Sequence, residues 1–429
     1  QVVTQPYDQI DDAQRDEYYA RSEFNVIRII RGKSQPNDTK NDNEYTRAAD
    51  FWTACIEDRQ LIREPGPAIY PYFQEYSVNG NTFVRKGLVV LVDLADKMSK
   101  VRAHENTIPG PKAERLKLMK ATEANDGQIF MLYDDPESKI NAIIDQAIAG
   151  TSALMEVTDE DGTIHKLFRI SRPAAVTDIA EILEDKDLFI ADGHHRYETA
   201  VDYMEYCKSR RWETMTAESF SHRMMTLVNI HDPGLTVLPT HRIVQSLDNF
   251  STTDLLSRAA ENFDIQEFSD RDLLYASLDQ AVGDGAIAFG FGSVDIEGYR
   301  LFKLRDPNLM DRLVTEEHCE AWRRLDVTVL HTALLDKLLG IDDAKLSAYS
   351  NVRYIRGKDA ALDAVGVDGI QAAFLLNATR TRQVLEVALE GERMPPKSTD
   401  YFPKLLTGMV MMKMTIDKSM GLAQFDTEE

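Results

Sequence analysis

Apolar positions recur along this chain with two different spacings, which predict helices and strands in alternation. In 43–57, Tyr45, Ala48 and Trp52 follow the spacing of one helix face. In 153–170, apolar and polar positions alternate on both sides of an Asp-Glu-Asp-Gly turn, which predicts a hairpin. The same criteria predict strands at 24–30, 68–76, 82–85, 87–94, 188–191, 223–230, 284–290 and 371–376, and helices at 113–124, 135–149, 176–184 and from 197. Interleaved strands and helices predict a mixed α/β or α+β architecture.

The domain organisation predicted from this pattern has three consecutive regions, with no repeat or low-complexity linker between them. Region 1–134 is an N-terminal α/β region, and region 135–325 is a central α/β region. Region 326–429 is mostly helical. Each region contains at least one polar cluster within a loop or at the end of an element, where functional sites are usually found.

The most informative polar cluster lies between strand 188–191 and the helix that follows it, in the order Asp192-Gly193-His194-His195-Arg196. Backbone N–H groups and the helix dipole attract phosphate at such a helix N-terminus. Gly193 can take backbone angles closed to other residues, and Asp192 supplies a hard oxygen ligand suited to Mg²⁺. The alternative is a helix end with surface charges, but the crowding of ionisable groups favours a site.

Four further clusters stand out from the amphipathic background. They are Pro6-Tyr7-Asp8, His104-Glu105-Asn106-Thr107, Pro239-Thr240-His241-Arg242 and Lys397-Ser398-Thr399. Glu105 is a candidate general base, because a carboxylate beside a substrate hydroxyl can orient it and take its proton. The alternatives are a solvated loop for His104-Glu105, a polar turn for 397–399 and the end of a strand for His241-Arg242.

Other enzyme classes fit the sequence less well. His104, His194, His195 and Asp192 could bind a transition metal, which would suit a metallohydrolase. However, side chains of adjacent residues diverge, and no HxH, HExxH or HxxxH spacing supports a shared ion. GxSxG, GxxxxGK[ST] and GxGxxG are also absent, so a nucleotide would need a scaffold other than a P-loop or a Rossmann turn.

Composition narrows the expected partners and location. The formal net charge is -22, from 71 acidic and 49 basic residues, and stable binding to nucleic acid or an anionic membrane needs an excess of Lys and Arg. We therefore expect neither partner. Cys55, Cys207 and Cys319 form no CxxC pair, which favours buried thiols in a reducing cytoplasm. The N-terminus, without Met or a signal pattern, is expected to be the trimmed start of a longer chain.

The motifs together resemble the bacterial and archaeal domain-of-unknown-function 1015 family. The resemblance rests on 191–200 with its DGHHR core, on Pro6-Tyr7-Asp8, His104-Glu105-Asn106-Thr107 and Leu238-Pro239-Thr240-His241-Arg242, and on Met394-Pro395-Pro396-Lys397-Ser398-Thr399. It covers almost the whole chain, in five ordered motifs. Members usually begin some twenty residues earlier, which agrees with a trimmed start.

The DGHHR core is also similar to the signature of the ParB and sulfiredoxin superfamily, which implies a ParB/sulfiredoxin-like nucleotide-binding core with additional α/β elements. That superfamily includes kinases of free L-serine. The resemblance implies that Glu105 is the base for the serine hydroxyl, and that Asp192 is the aspartate of the signature. It implies nucleotide or phosphate contacts for the residues Gly193, His194, His195, Arg196, His104 and Thr107.

These observations predict a cytoplasmic kinase that transfers a phosphoryl group from ATP or ADP to a hydroxyl amino acid, with L-serine the best candidate acceptor. Glu105 and Asp192 are the predicted catalytic residues, with Asp192 holding Mg²⁺. Further possible site residues are Asp8, His241, Arg242, Lys397, Ser398 and Thr399. A metal-dependent hydrolase or phosphatase, a ParB-like DNA-binding switch and a non-catalytic nucleotide-binding regulator stay open, as does the oligomeric state.

Overall fold

A computed structural model describes residues 1–105, 109–214 and 216–419 of the chain. It confirms the predicted class, since helices and several sheets alternate along the chain. Within the described residues, no helix combines the length and the apolar character needed to span a membrane. All three cysteines are free thiols, and Cys55 and Cys207 are buried.

The strands of the described residues are numbered in chain order. They are β1 (Tyr70–Val78), β2 (Asn81–Asp93), β3 (Val101–Arg102), β4 (Ala124–Asn125), β5 (Ile129–Tyr133), β6 (Met155–Thr158), β7 (Ile164–Leu167), β8 (Leu188–Asp192), β9 (His222–Asn229), β10 (Thr236–Val237), β11 (Thr240–Gln245), β12 (Phe263–Phe268), β13 (Ala288–Ser293), β14 (Tyr299–Leu304), β15 (Val352–Arg356), β16 (Ile370–Leu375), β17 (Tyr401–Phe402) and β18 (Met412–Lys413).

The α-helices are α1 (Asp12–Arg21), α2 (Ile27–Ile30), α3 (Glu44–Glu57), α4 (Leu94–Lys97), α5 (Pro109–Thr122), α6 (Lys139–Ile148), α7 (Pro173–Glu184), α8 (His194–Ser209), α9 (Thr252–Ala259), α10 (Arg271–Gly283), α11 (Leu309–Leu313), α12 (Glu320–Arg323), α13 (Asp326–Val329), α14 (Lys337–Leu339), α15 (Asp343–Ser347), α16 (Lys358–Asp363) and α17 (Thr381–Leu389). Two 3₁₀ turns cover Tyr7–Gln9 and Met98–Lys100. A π-helix covers Leu330–Asp336, between α13 and α14.

The described residues form two compact units. Unit 1 comprises those within Gln1–Arg102, Thr107–Leu235 and Pro403–Glu429, and unit 2 comprises those within Ala103–Asn106 and Thr236–Phe402. This division differs from the three consecutive regions that the sequence predicts. The reason is that the chain pairs over long distances, which local composition does not reveal.

Unit 1 is built on an eight-stranded mixed sheet in the order β3-β8-β5-β9-β2-β1-β7-β6. Its long antiparallel pairs are β1 with β2 and β2 with β9. β5 runs parallel to β9 and antiparallel to β8, so β8 ends beside the start of β5. This pairing brings the residue that ends β8, Asp192, opposite Phe130.

Unit 2 is built on a six-stranded antiparallel sheet in the order β12-β14-β13-β16-β11-β15. Both faces of the sheet are covered. Phe374 belongs to the apolar cluster that includes the π-helix, whereas its neighbours Ala373 and Leu375 belong to the cluster with α10 and α16. The sheet is therefore the centre of the core of unit 2.

One predicted strand is wrong. The β-branched segment 24–30 forms α2, whose first amide, that of Ile27, donates to the side chain of Asn25 over 2.9 Å. Ile27, Ile29 and Ile30 are all buried in one cluster with Trp52. Burial on every side outweighs the intrinsic strand preference of isoleucine. In contrast, the two predicted strands 82–85 and 87–94 join in the single strand β2.

Candidate functional site

The junction predicted as a phosphate cradle is a strand-to-helix turn in unit 1. β8 ends at Asp192, and α8, a helix of 16 residues, begins at His194. Gly193 lies between them with φ 97° and ψ 31°, a left-handed conformation that glycine takes without steric cost. Because glycine has no side chain, no side chain at this position caps the first turn of α8. The geometry is that of a helix N-terminus open to an anion.

Arg196 turns back towards the strand rather than outwards. Its Nη2 donates to Asp192 Oδ2 over 3.0 Å, and its Nη1 donates to the backbone oxygen of Gln128. Arg196 is only 7% exposed. Burial lowers the pKa of Arg196, but the charges of Asp192 and Asp8 outweigh this effect and raise the pKa overall. Arg196 thus holds Asp192 in place as a permanently charged partner.

The predicted Asp8 belongs to the same group. It lies in the 3₁₀ turn at Tyr7–Gln9 and is exposed, and its charge acts on Arg196. Beside it, the Tyr7 ring lies 4.0 Å from the guanidinium carbon of Arg115. Burial, followed by the charge of Asp8, raises the pKa of Tyr7, so this phenol stays neutral and can donate a hydrogen bond.

A second arginine lies behind the turn. Arg223, near the start of β9, is 1% exposed and donates to Gly127 O over 2.7 Å and to the side chain of Asn125. Together with Arg196 and Asp126 it lines a cavity of about 10 Å³, roughly the space for one water molecule. Sequence reasoning missed Arg223. The available signal was a single arginine in an otherwise apolar strand.

The two adjacent histidines have different surroundings. His194 is buried at 7% exposure, whereas His195 is half-buried. Within the described residues, no group of three or more His, Cys, Asp or Glu side chains is arranged to hold a metal ion. Asp192 is 27% exposed and uses one oxygen for Arg196. It therefore fits the way Mg²⁺ binds with nucleotides, through one or two carboxylates together with phosphates.

In unit 2, the predicted His104-Glu105 segment is anchored to the loop after α17. The backbone oxygen of His104 accepts from Met394 N over 2.7 Å, and His104 Nε2 lies 3.3 Å from Thr399 Oγ1. His104 is 1% exposed, whereas Glu105 is half-buried. The buried histidine thus fixes the backbone that presents Glu105. The predicted Thr107 lies outside the described residues.

Arg242 organises the other side of that loop. It lies in β11 at 1% exposure, and its Nη2 donates to Lys397 O over 3.0 Å. Lys397 is exposed and takes a left-handed φ of 58°, an unusual conformation for a lysine. Ser398 Oγ donates to Pro395 O over 2.5 Å, which completes a turn. Burial lowers the pKa of Arg242 to about 10.

Burial shifts the pKa values of His241 and Asp326 in opposite directions. Burial, helped by the charge of Arg242, lowers the pKa of His241 to about 4, and His241 Nδ1 accepts from Leu376 N over 3.2 Å. Burial raises the pKa of Asp326 to about 7, against the opposing effect of Arg380. Sequence reasoning did not single out Asp326, and no hydrogen bond or ion pair of the described residues connects it with the predicted site residues.

The structure thus gathers the predicted residues in two groups. Unit 1 holds Asp8 and 192–196, and unit 2 holds His104, Glu105, His241–Arg242 and 397–399. Each group combines segments far apart in sequence, as 8 with 192 and 104 with 399. His241 and Arg242 are not at the end of a strand, as one alternative supposed, but near the start of β11.

A comparison of the sequence with models of known protein families identifies the family of the chain. A family model described as "Protein of unknown function (DUF1015)" matches residues 1–328 of the 429. The chain belongs to the DUF1015 family. The resemblance is confirmed over residues 1–328, which contain the DGHHR core and three of the other four motifs; the motif at 394–399 lies beyond the matched range. No curated protein matches the sequence of this DUF1015 protein.

Several solved structures are similar to the DUF1015 chain at low sequence identity. One is described as "Free serine kinase in complex with AMP", with 12% identity, a TM-score of 0.35 and coverage of 73% of this chain and 86% of that one. A conserved hypothetical protein from Pyrococcus furiosus has 13% identity, a TM-score of 0.33 and coverage of 73% and 90%. SbnI from Staphylococcus aureus, truncated at its C-terminus, has 11% identity, a TM-score of 0.33 and coverage of 74% and 85%. No function follows from similarities at this level.

Proposed function

We propose that this DUF1015 protein transfers a phosphoryl group from ATP or ADP to the hydroxyl of a small amino acid, with L-serine as the best candidate. The observation that carries the proposal is the turn at Gly193. There a left-handed glycine opens a helix of 16 residues directly beside Asp192, which a buried arginine holds in position. The resemblance of the DGHHR core to the nucleotide-binding signature supports the same assignment.

Unit 1 binds the nucleotide in this proposal. The backbone amides at the start of α8 donate to the phosphates, and the helix dipole favours their negative charge. His195, the more exposed of the two histidines, contacts a phosphate, and so does His194 from its buried position. Arg196 acts indirectly, because its contacts to Asp192 and Gln128 O fix the turn.

Asp192 is the residue that would hold Mg²⁺, with Asp8 the second carboxylate near the same guanidinium. With a nucleotide bound, the ion would offset the negative charge that develops on the phosphates. The contribution of the chain is one partly exposed carboxylate in a fixed position.

Glu105 of unit 2 is the general base for the acceptor. The serine hydroxyl oxygen forms a bond to the terminal phosphorus, the bond from that phosphorus to the bridging oxygen breaks, and the hydroxyl proton passes to the Glu105 carboxylate. With ATP as donor, the products are O-phosphoserine and ADP. The half-buried position of Glu105, beside the anchored His104, supports this role.

The test is a direct assay of the purified protein with L-serine, Mg²⁺ and either ATP or ADP, in which O-phosphoserine is quantified by mass spectrometry. We expect O-phosphoserine to accumulate in step with loss of the donor, and the donor to stay intact without an acceptor. Equal consumption of nucleotide with and without serine would overturn the kinase and favour the hydrolase. Binding of nucleotide without turnover of any hydroxyl compound would favour the regulator.

A further inference from the structure

Arg242 of unit 2 is a buried cation whose positive charge is not neutralised by a carboxylate among the described residues. Its hydrogen bonds go to uncharged acceptors: His331 Nε2 at 3.2 Å, Lys397 O at 3.0 Å, and Thr240 O. The acidic side chains of the described residues form no ion pair with it, and Tyr354 is the titratable neighbour that acts on it. Buried charges in proteins are normally paired.

The other two arginines that are fully buried also donate to uncharged acceptors, but the charge of an aspartate acts on each of them. Asp232 acts on Arg85, and Asp126 acts on Arg223, both in unit 1. Arg242 differs from these two arginines in that no carboxylate of the described residues acts on its pKa. Since the cost of an uncompensated buried charge is high, an anion from outside the chain would stabilise this position.

Tyr354 supplies a second donor at the same place. It pairs with Arg242 across β11 and β15, and the guanidinium carbon lies 5.1 Å from its ring centroid. The Tyr354 hydroxyl is buried and has no hydrogen-bond partner in the described part of the chain. A buried hydroxyl left in this state is destabilising. One small anion would satisfy both groups.

We propose that Arg242 and Tyr354 form the receptor for the carboxylate of the acceptor amino acid. One carboxylate oxygen accepts from the guanidinium of Arg242 and the other from the Tyr354 hydroxyl. The charge of Glu105 also acts on Tyr354, so the proposed base lies within electrostatic range of this site. The inference rests on the proposed function for the identity of the ligand, but not for the existence of the anion site.

The experiment measures binding, so it needs no turnover. Isothermal titration of the full chain compares L-serine with 3-hydroxypropionate, which lacks the amine, and with serinol, which lacks the carboxylate. We expect both carboxylates to bind and serinol to bind at least tenfold more weakly. If the kinase assay fails but this pattern holds, only the proposed function is lost.

Tyr354→Phe is the decisive variant, because it removes a hydroxyl that has no partner among the described residues and should not disturb folding. We expect its affinity for L-serine to fall about fivefold or more with an unchanged melting temperature. Tyr349→Phe, at the neighbouring exposed ring, is the matched control. Arg242→Lys should weaken both carboxylates at least tenfold, whereas Arg85→Lys, at an equally buried arginine, should not.

Three results would overturn the proposal. They are equal binding of serinol and L-serine, an affinity of Tyr354→Phe for L-serine within twofold of the parent protein, and failure of both carboxylates to bind. Titration with inorganic phosphate separates the remaining possibility. If phosphate binds in an Arg242-dependent way while the carboxylates do not, the site serves a phosphoryl group instead.

Discussion

Arg196 donates through Nη2 to Oδ2 of Asp192 over 3.0 Å. A residue in the first turn of α8 therefore holds the last residue of β8 in place. The same guanidinium donates to Gln128 O at the start of the neighbouring strand. The turn at Gly193 is therefore closed by an ion pair as well as by backbone geometry. In the proposed kinase, this pair fixes the carboxylate before any nucleotide binds.

Arg196→Ala should destabilise the protein by about 2–4 kcal/mol, because it removes the ion pair with Asp192 and takes a hydrogen-bond donor away from the buried oxygen of Gln128. Urea unfolding measures the loss. Lys208→Ala, in the last turn of the same helix and 47% exposed, is the control and should change the free energy by less than about 0.5 kcal/mol. A loss below 1 kcal/mol for Arg196→Ala would show that the pair contributes little.

Gly193→Ala tests the left-handed turn. A Cβ at this position would lie 3.0 Å from Arg196 Nε, in addition to the cost of about 1–2 kcal/mol for an alanine at positive φ. Gly80→Ala provides the matched control, since Gly80 has φ 77° and open space around its Cβ position. We expect Gly193→Ala to lose about 1 kcal/mol more than Gly80→Ala, and nucleotide affinity to fall only in Gly193→Ala. Equal losses would mean that Arg196 moves aside freely.

Glu105→Gln should reduce phosphoryl transfer about 10²–10⁴-fold, because an amide cannot take the hydroxyl proton. Nucleotide affinity should stay within threefold of the parent protein, since the proposed nucleotide contacts are in unit 1. Steady-state kinetics and titration with nucleotide check the two values. The control is Glu386→Gln on the surface of α17, where Glu386 pairs with Arg382. A fully active Glu105→Gln would remove the proposed base.

His241→Asn should make the stability of the protein less sensitive to acid. Burial lowers the pKa of His241 to about 4, below its usual value of 6.5. As the pH falls, this histidine therefore takes up a proton in the unfolded chain before it does so in the folded protein. The contribution of neutral His241 to the free energy of unfolding is complete above pH 6.5. It is lost as the pH falls towards 4, by about 3 kcal/mol in total. The asparagine oxygen can still accept from Leu376 N, which limits other effects.

Unfolding by urea at several pH values between 7 and 4 gives the slope for each variant. We expect a shallower slope for His241→Asn than for the parent protein, by at most about 1.4 kcal/mol per pH unit. His231→Asn replaces a histidine whose side chain is 45% exposed and serves as the control. Identical slopes for His241→Asn and the parent protein would mean that His241 takes up a proton as readily in the folded protein as in the unfolded chain.

The strand-to-helix turn could be predicted from sequence because its determinants are local. An apolar strand, one glycine and the start of a helix are adjacent in the chain, and their order implies their geometry. The surroundings of the turn could not be predicted in this way. Arg196 contacts Gln128 only because β8 lies next to β5. Asp8, whose charge acts on Arg196, lies near the N-terminus, far from Arg196 in sequence. Such pairings depend on sheet order, which residue spacing does not encode.

The proposed acceptor site at Arg242 and Tyr354 was even harder to predict from the sequence. Sequence singled out Arg242 and Glu105, but Tyr354 and His331 lie in a strand and a π-helix whose patterns indicate only a core. Their importance follows from the Tyr354 hydroxyl and the Arg242 guanidinium, which have no hydrogen-bond acceptor and no counter-charge, respectively, in the part of the chain that the structure describes. These are properties of the folded arrangement. A sequence reveals which groups exist but not which are left unsatisfied.

The interruption of unit 1 by unit 2 has a consequence for the order of synthesis. Thr4 pairs with Thr407, Asn125 pairs with Met412, and Pro403 supplies an oxygen to the buried Arg85. A ribosome must therefore make all of 236–402 before unit 1 receives its last strand, a delay on the order of ten seconds or more. During that interval Arg85 can already donate to Gln74 but not to the Pro403 oxygen, and unit 1 is incomplete, which is the state that chaperones bind.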